Sequence, residues 1–178
     1  MVAGVSDRAG IGARGRLILW GGAAALMTIP VLARRVSEEV AWDPGDFMFL
    51  AILVAVTGAV FEGAARVSAG RAYLAGVTLA VATAAVESWI NLAVGIVESE
   101  DEPVNLVFAG VVAVAAIGAA LARLRPGGMA RAMVAAAGAQ VAAFAAVLAT
   151  GLGFTGPITI FFTALWLIAA WLFRRAAQ

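Results

Sequence analysis

The chain has 178 residues, 63% of them hydrophobic and 13% charged, with a net charge of +1. A soluble domain of this length needs about a quarter of its residues charged to coat its surface, so lipid is the expected solvent. The chain holds no Cys and no His, and all twelve of its basic residues are Arg, which excludes disulfides, thiol chemistry, His-ligated metals and Lys Schiff bases.

A membrane-spanning helix needs about 20 mostly apolar residues. That window predicts an all-α, polytopic bundle of six helices forming a single membrane domain over 1–178, with spans at about 17–33, 47–65, 72–97, 104–124, 130–153 and 158–173. The first span follows Arg14 and Arg16, a pattern that a cleaved signal peptide ending near Val31-Leu32-Ala33 would share. A retained helix is the preferred reading, because more spans follow and Arg34-Arg35 is an odd start for a mature chain. The second span ends at Glu62 and Arg66, four apart in the favourable order for an interfacial ion pair. Pro44, Pro103, Pro126 and Pro157 stand at or just before expected helix starts, where a missing N–H is tolerated.

The third span carries the one acid deep in the expected hydrocarbon, Glu87. Burying an ionised carboxylate there is expensive, so the side chain should face the bundle interior. Thr83, Glu87 and Asn91 lie at i, i+4 and i+8 on one helical face, with Ser88 alongside. If the helix runs on to Val97, that face reaches Val94 and then Glu98. The loop beyond it packs Glu98, Glu100, Asp101 and Glu102 into an acidic outer mouth. The stripe predicts one wall of a proton or cation path; the competing reading is a Glu hydrogen-bonded across the bundle, to Gln140 for example. The acidic loop lacks EF-hand spacing, so it is expected to be solvated and not a metal site.

The fourth and fifth spans are rich in Ala and Gly. Gly110, Val114 and Gly118 share one face and Ala109, Ala113 and Ala116 another, both suited to close helix packing. Gln140 in the fifth span is expected to hydrogen-bond between helices. A shift of 60 residues sets Gly58-Ala59 on Gly118-Ala119 and Arg71-Ala72 on Arg131-Ala132, which a weak tandem hairpin repeat would produce and which chance identities in spans dominated by Ala, Gly and Val produce as readily. Bulky residues gather in the first and last spans and at the start of the second (Phe47, Phe49, Phe161, Phe162, Trp166 and Trp171), so those helices are expected to face lipid. Trp20, Tyr73 and Trp171 are expected at the cytoplasmic interface and Trp42 at the outer one.

Ten Arg (8, 14, 16, 66, 71, 123, 125, 131, 174 and 175) fall on one side of this topology and two, Arg34 and Arg35, on the other. The positive-inside rule then gives both termini in the cytoplasm. The stretch from Trp89 to Leu106, the turn Arg125-Pro126-Gly127-Gly128-Met129-Ala130-Arg131-Ala132, and the closing Leu165-Trp166 and Phe173-Arg174-Arg175 resemble a family of small bacterial multi-pass inner-membrane proteins with no known activity. That resemblance implies an inner-membrane location and supplies no mechanism. Two functions are open on sequence grounds. One is a small transporter or channel-like protein using Glu87, Asn91 and Thr83. The other is a non-catalytic structural or accessory subunit meeting the lipid bilayer and a second copy or a partner membrane subunit. No enzyme activity, cofactor, metal or nucleic-acid partner is expected.

Overall fold

The computed structural model describes residues 44–67, 70–99 and 102–178, and between 17 and 32 the positions 17, 18, 20–22, 24, 25, 28, 31 and 32. These last are helical, but most of the context of the first expected span lies outside the described residues, as do Trp42, Arg34, Arg35, Glu100 and Asp101. Among the described residues every regular element is helical: α1 Pro44–Val67, α2 Arg71–Ala93, a 3-10 turn Pro103–Asn105 leading into α3 Leu106–Leu121, α4 Pro126–Thr150 and α5 Gly156–Ala176. Among the described residues five segments are long and apolar enough to cross a membrane, Pro103–Leu121 counting as one. The chain divides into two compact units at residue 70.

In the first unit, α1 opens on Pro44 with Asp46 in its first turn and closes with Arg66 in its last; both charges suit the helix dipole. Glu62 and Arg66 pair at 3.1 Å, as their spacing predicts. Gly58 lies under the Trp20 ring, where an added Cβ would come within 2.8 Å of the indole.

The second unit is an up-and-down four-helix bundle. Helix α5 packs against α4 and α2, and α3 against α4 and, less extensively, α2. The last helix thus closes the ring, with α2 and α4 on opposite corners. Close approach of α3 and α4 needs small residues: a Cβ on Gly118 would meet that of Ala132 at 2.7 Å, and one on Gly128 would meet Ala122 at 2.6 Å. The buried face of α3 is Phe108, Val111 and Ala115. The expected faces fare differently: Gly118 does pack, but Ala109, Gly110, Ala113, Val114 and Ala116 point outward.

Helix α5 also corrects an expectation. Phe162, Trp166 and Phe173 are wholly buried, while Phe161 and Trp171 are exposed, so the bulky residues of this span build the core as well as its outer surface. Tyr73, expected at the interface, is buried too; its hydroxyl donates to the Leu124 carbonyl at 2.5 Å, and its ring meets Phe173 edge-on at 5.5 Å.

The helix ends show why the predicted spans drift. Helix α2 stops at Ala93, four residues short of Val97, because Val94 and Gly95 both donate to Ile90 O and Gly95 takes a left-handed φ of 78°. That is the usual way a glycine ends a helix. Gly151 (φ 71°) ends α4 likewise. Between α3 and α4, Arg123 and Leu124 adopt φ values of 49° and 57° without being glycine, a conformation that side chains disfavour by about 1 kcal/mol or more each. The Tyr73 hydroxyl bond to Leu124 holds that turn.

Candidate functional site

The interior of the four-helix unit is not uniformly apolar. Glu87 on α2 and Gln140 on α4, at opposite corners of the ring, are wholly buried, and so is Trp166 on α5. The Glu87 carboxyl lies beside the Trp166 indole and the Gln140 amide. Neither carboxyl oxygen, neither amide atom and not the indole Nε1 closes a hydrogen bond with another protein atom. Three side chains from three helices therefore bring polar groups side by side in the bundle core. Buried polar atoms without partners are rare because each forfeits about 1–3 kcal/mol, so several in one place single out this part of the core as the candidate site.

The depth of Glu87 follows from the helix bounds. It stands 16 residues after Arg71 and 6 before Ala93, so about 24 Å from one helix end and about 9 Å from the other at 1.5 Å per residue. It is nearer the far end than a helix reaching Val97 would have put it.

The other expected members divide. Thr83 is buried on the same face, but its hydroxyl donates to Leu79 O at 2.7 Å and is committed to its own helix. Asn91 is 7% exposed and its Oδ1 has no partner, so it remains free to bind. Glu98 does not continue the stripe: it lies past the end of α2, exposed, with a φ of 55°. Glu102 is half-buried just before the 3-10 turn, and Glu100 and Asp101 lie outside the described residues. Among the described residues no three acids gather into a cluster able to hold a metal ion.

Two features escaped the sequence reading. Thr155, which caps helix α5, and Thr159, Thr163 and Trp166 within it have their hydroxyls and indole N–H buried, with no bond to another protein atom that meets hydrogen-bond geometry. Their spacing of four, four and three was the available signal, obscured by the apolar residues between them. The second is Asn105, whose Oδ1 accepts from the amides of Ile96 (3.1 Å) and Val97 (2.9 Å) and whose Nδ2 donates to the carbonyls of Val97 (3.1 Å) and Ser99 (2.6 Å). One side chain thus folds the loop after α2.

Helices α2 and α5 run antiparallel, since Tyr73 near the start of one meets Phe173 near the end of the other. Asn91, two residues before the end of α2, and Thr159, early in α5, therefore belong to the same end of the unit as the Asn105 loop. Buried polar groups run from Glu87 and Trp166 toward that end. The chain matches no protein-family model, and neither a curated protein nor a solved structure is similar to it, so the site's chemistry carries the functional argument by itself.

Proposed function

We propose that this chain is a multi-pass protein of the bacterial inner membrane, with both termini in the cytoplasm, that binds and releases a proton at Glu87 as part of transport. The observation that carries the reading is the complete enclosure of one acid beside an indole N–H and an amide supplied by two other helices. An intramembrane ionisable residue that faces a bundle interior is costly and belongs by default to a pathway or relay.

The neighbours favour a proton over a metal cation. A hard cation needs several converging oxygens, whereas Trp166 turns its N–H and not its ring face toward the carboxyl, and an N–H does not ligate a cation. The same N–H suits an ionised carboxylate. The Gln140 amide serves either form of the acid, because its nitrogen donates to a carboxylate and its oxygen accepts from a carboxyl O–H. The outward route runs along Thr163, Thr159 and Asn91 to the end that carries the acidic loop, whose charges raise the local cation concentration.

The test is proton flux into proteoliposomes holding a pH-sensitive dye, driven by an imposed potential. Glu87→Gln, which keeps size and hydrogen-bonding capacity, abolishes the flux, and Glu87→Asp retains a fraction of it. Undiminished flux in Glu87→Gln sinks the reading.

A second reading rests on a specific observation, the complete burial of Glu87. In it the polar core fixes helix register in a structural or accessory subunit that assembles with a second copy or a partner membrane subunit. Wild-type protein would then carry no flux and would leave mild detergent with a co-isolating membrane protein.

A further inference from the structure

The four-helix unit has a second chemical feature, at the end opposite the Asn105 loop. Tyr73 touches both the Leu124 carbonyl and the Phe173 ring, which pins together the start of α2, the turn between α3 and α4, and the end of α5. Arginines bracket every member of this junction: Arg71 precedes Tyr73 by two residues, Arg123 and Arg125 flank Leu124, and Arg174 follows Phe173. All four are exposed, as are Arg131 and Arg175 nearby. None of the six is ion-paired with a carboxylate among the described residues. The described acids of this unit lie elsewhere: Glu87 in the core, and Glu98 and Glu102 in the loop at the far end.

The scaffold under these arginines is rigid where it matters. Arg123 and Leu124 hold left-handed backbone conformations, with the Leu124 amide bonded to Ala119 O. The turn is thus tied by backbone bonds to the end of α3. Beside it, the Arg175 guanidinium stacks 4.0 Å over the Trp171 ring, and Trp171 is half exposed. A tryptophan and an arginine paired at the end of a spanning helix occupy the headgroup level of a bilayer. Leu121 at the end of α3 and Ile168, one turn before Trp171 on α5, are exposed apolar side chains.

From this arrangement we propose that the Tyr73–Leu124–Phe173 junction is a binding site for the phosphate headgroup of an anionic phospholipid, held by Arg71, Arg123, Arg125 and Arg174. Guanidinium groups take phosphate oxygens in paired hydrogen bonds, and basic residues between helix ends on the cytoplasmic side bind anionic headgroups. The phosphate comes from lipid and not from solution because the site stands at bilayer level beside Trp171 and exposed apolar side chains. The bound lipid bridges three chain segments and so acts as a clasp on the ring of helices.

Native mass spectrometry of the full chain, titrated with equal amounts of phosphatidylglycerol and phosphatidylcholine, tests it. The expected result is at least a tenfold preference for the anionic lipid, falling to near parity in Arg123→Gln/Arg125→Gln and insensitive to millimolar inorganic phosphate. Should that variant fail to fold, Arg71→Gln/Arg174→Gln makes the same comparison from the other side of the junction. Equal binding of both lipids by the wild type overturns the proposal. So does a preference unchanged in the folded variant, or displacement of the lipid by inorganic phosphate, which would make the site one for a soluble anion.

Discussion

Replacing Asn105 by Ala removes four hydrogen bonds at once, and their surroundings set the expected loss. The bonds to the Val97 amide and the Val97 carbonyl are buried; those to Ile96 and Ser99 are only partly so. Water can replace the last two, so they contribute little. The Val97 groups are left without partners in a residue that is 3% exposed, and each unsatisfied group forfeits about 1–3 kcal/mol. Asn105→Ala should therefore destabilise the protein by about 4 kcal/mol, which shifts the unfolding equilibrium several hundredfold at about 1.4 kcal/mol per decade. Asn105→Asp should lose about half as much, since it still accepts from both amides but no longer donates to either carbonyl. Unfolding by SDS titration in mixed micelles, followed by far-ultraviolet circular dichroism, reads both variants. A loss below about 1 kcal/mol for Asn105→Ala would refute the view that one side chain organises the loop.

Two further perturbations separate packing from composition in the same assay. Gly118→Val places atoms against Ala132, where even a Cβ would sit at 2.7 Å, and should destabilise by about 1–3 kcal/mol. Gly110→Val, on the same helix with nothing within 4 Å of its Cβ position, should be neutral or slightly stabilising; equal effects at the two sites would contradict the assigned packing face. Tyr73→Phe removes the hydroxyl bond to Leu124 and should cost about 1 kcal/mol, with faster amide exchange confined to the turn at 122–125. Unchanged exchange there would show that the turn holds itself.

Element existence was legible because a span long enough to cross a bilayer is a strong, local signal, and the prolines marked the starts of α1, the 3-10 turn, α4 and α5. Facing was harder to read. In water, an apolar stripe tells which side of a helix is buried; in lipid, both sides of α5 are apolar, so Phe162 and Phe161 look alike although one is buried and the other exposed. Helix α3 misled for the same reason, with small residues on both its packed and its open faces. The end of α2 was missed because Val94, Ile96 and Val97 prolong an apolar run that only Gly95 and the distant Asn105 interrupt. Glu87 was legible as a buried acid, and Gln140 as one neighbour, because a lone polar residue in an apolar span has few reasons to be there. Trp166 was not, since among Phe161, Phe162 and Trp171 it reads as one more bulky side chain, while its N–H faces the acid.

The closure of the ring by its last helix has a consequence for synthesis. Gln140 and Trp166 follow Glu87 by 53 and 79 residues, so the acid reaches the membrane well before either neighbour has been made. At about 5–20 residues per second the wait for Trp166 is roughly 4–16 s. Throughout that interval Glu87 has neither of these neighbours, so the carboxyl meets water or lipid at a cost of a few kcal/mol. The polar contacts of Glu87 are thus completed only when the last helix of the chain has been made.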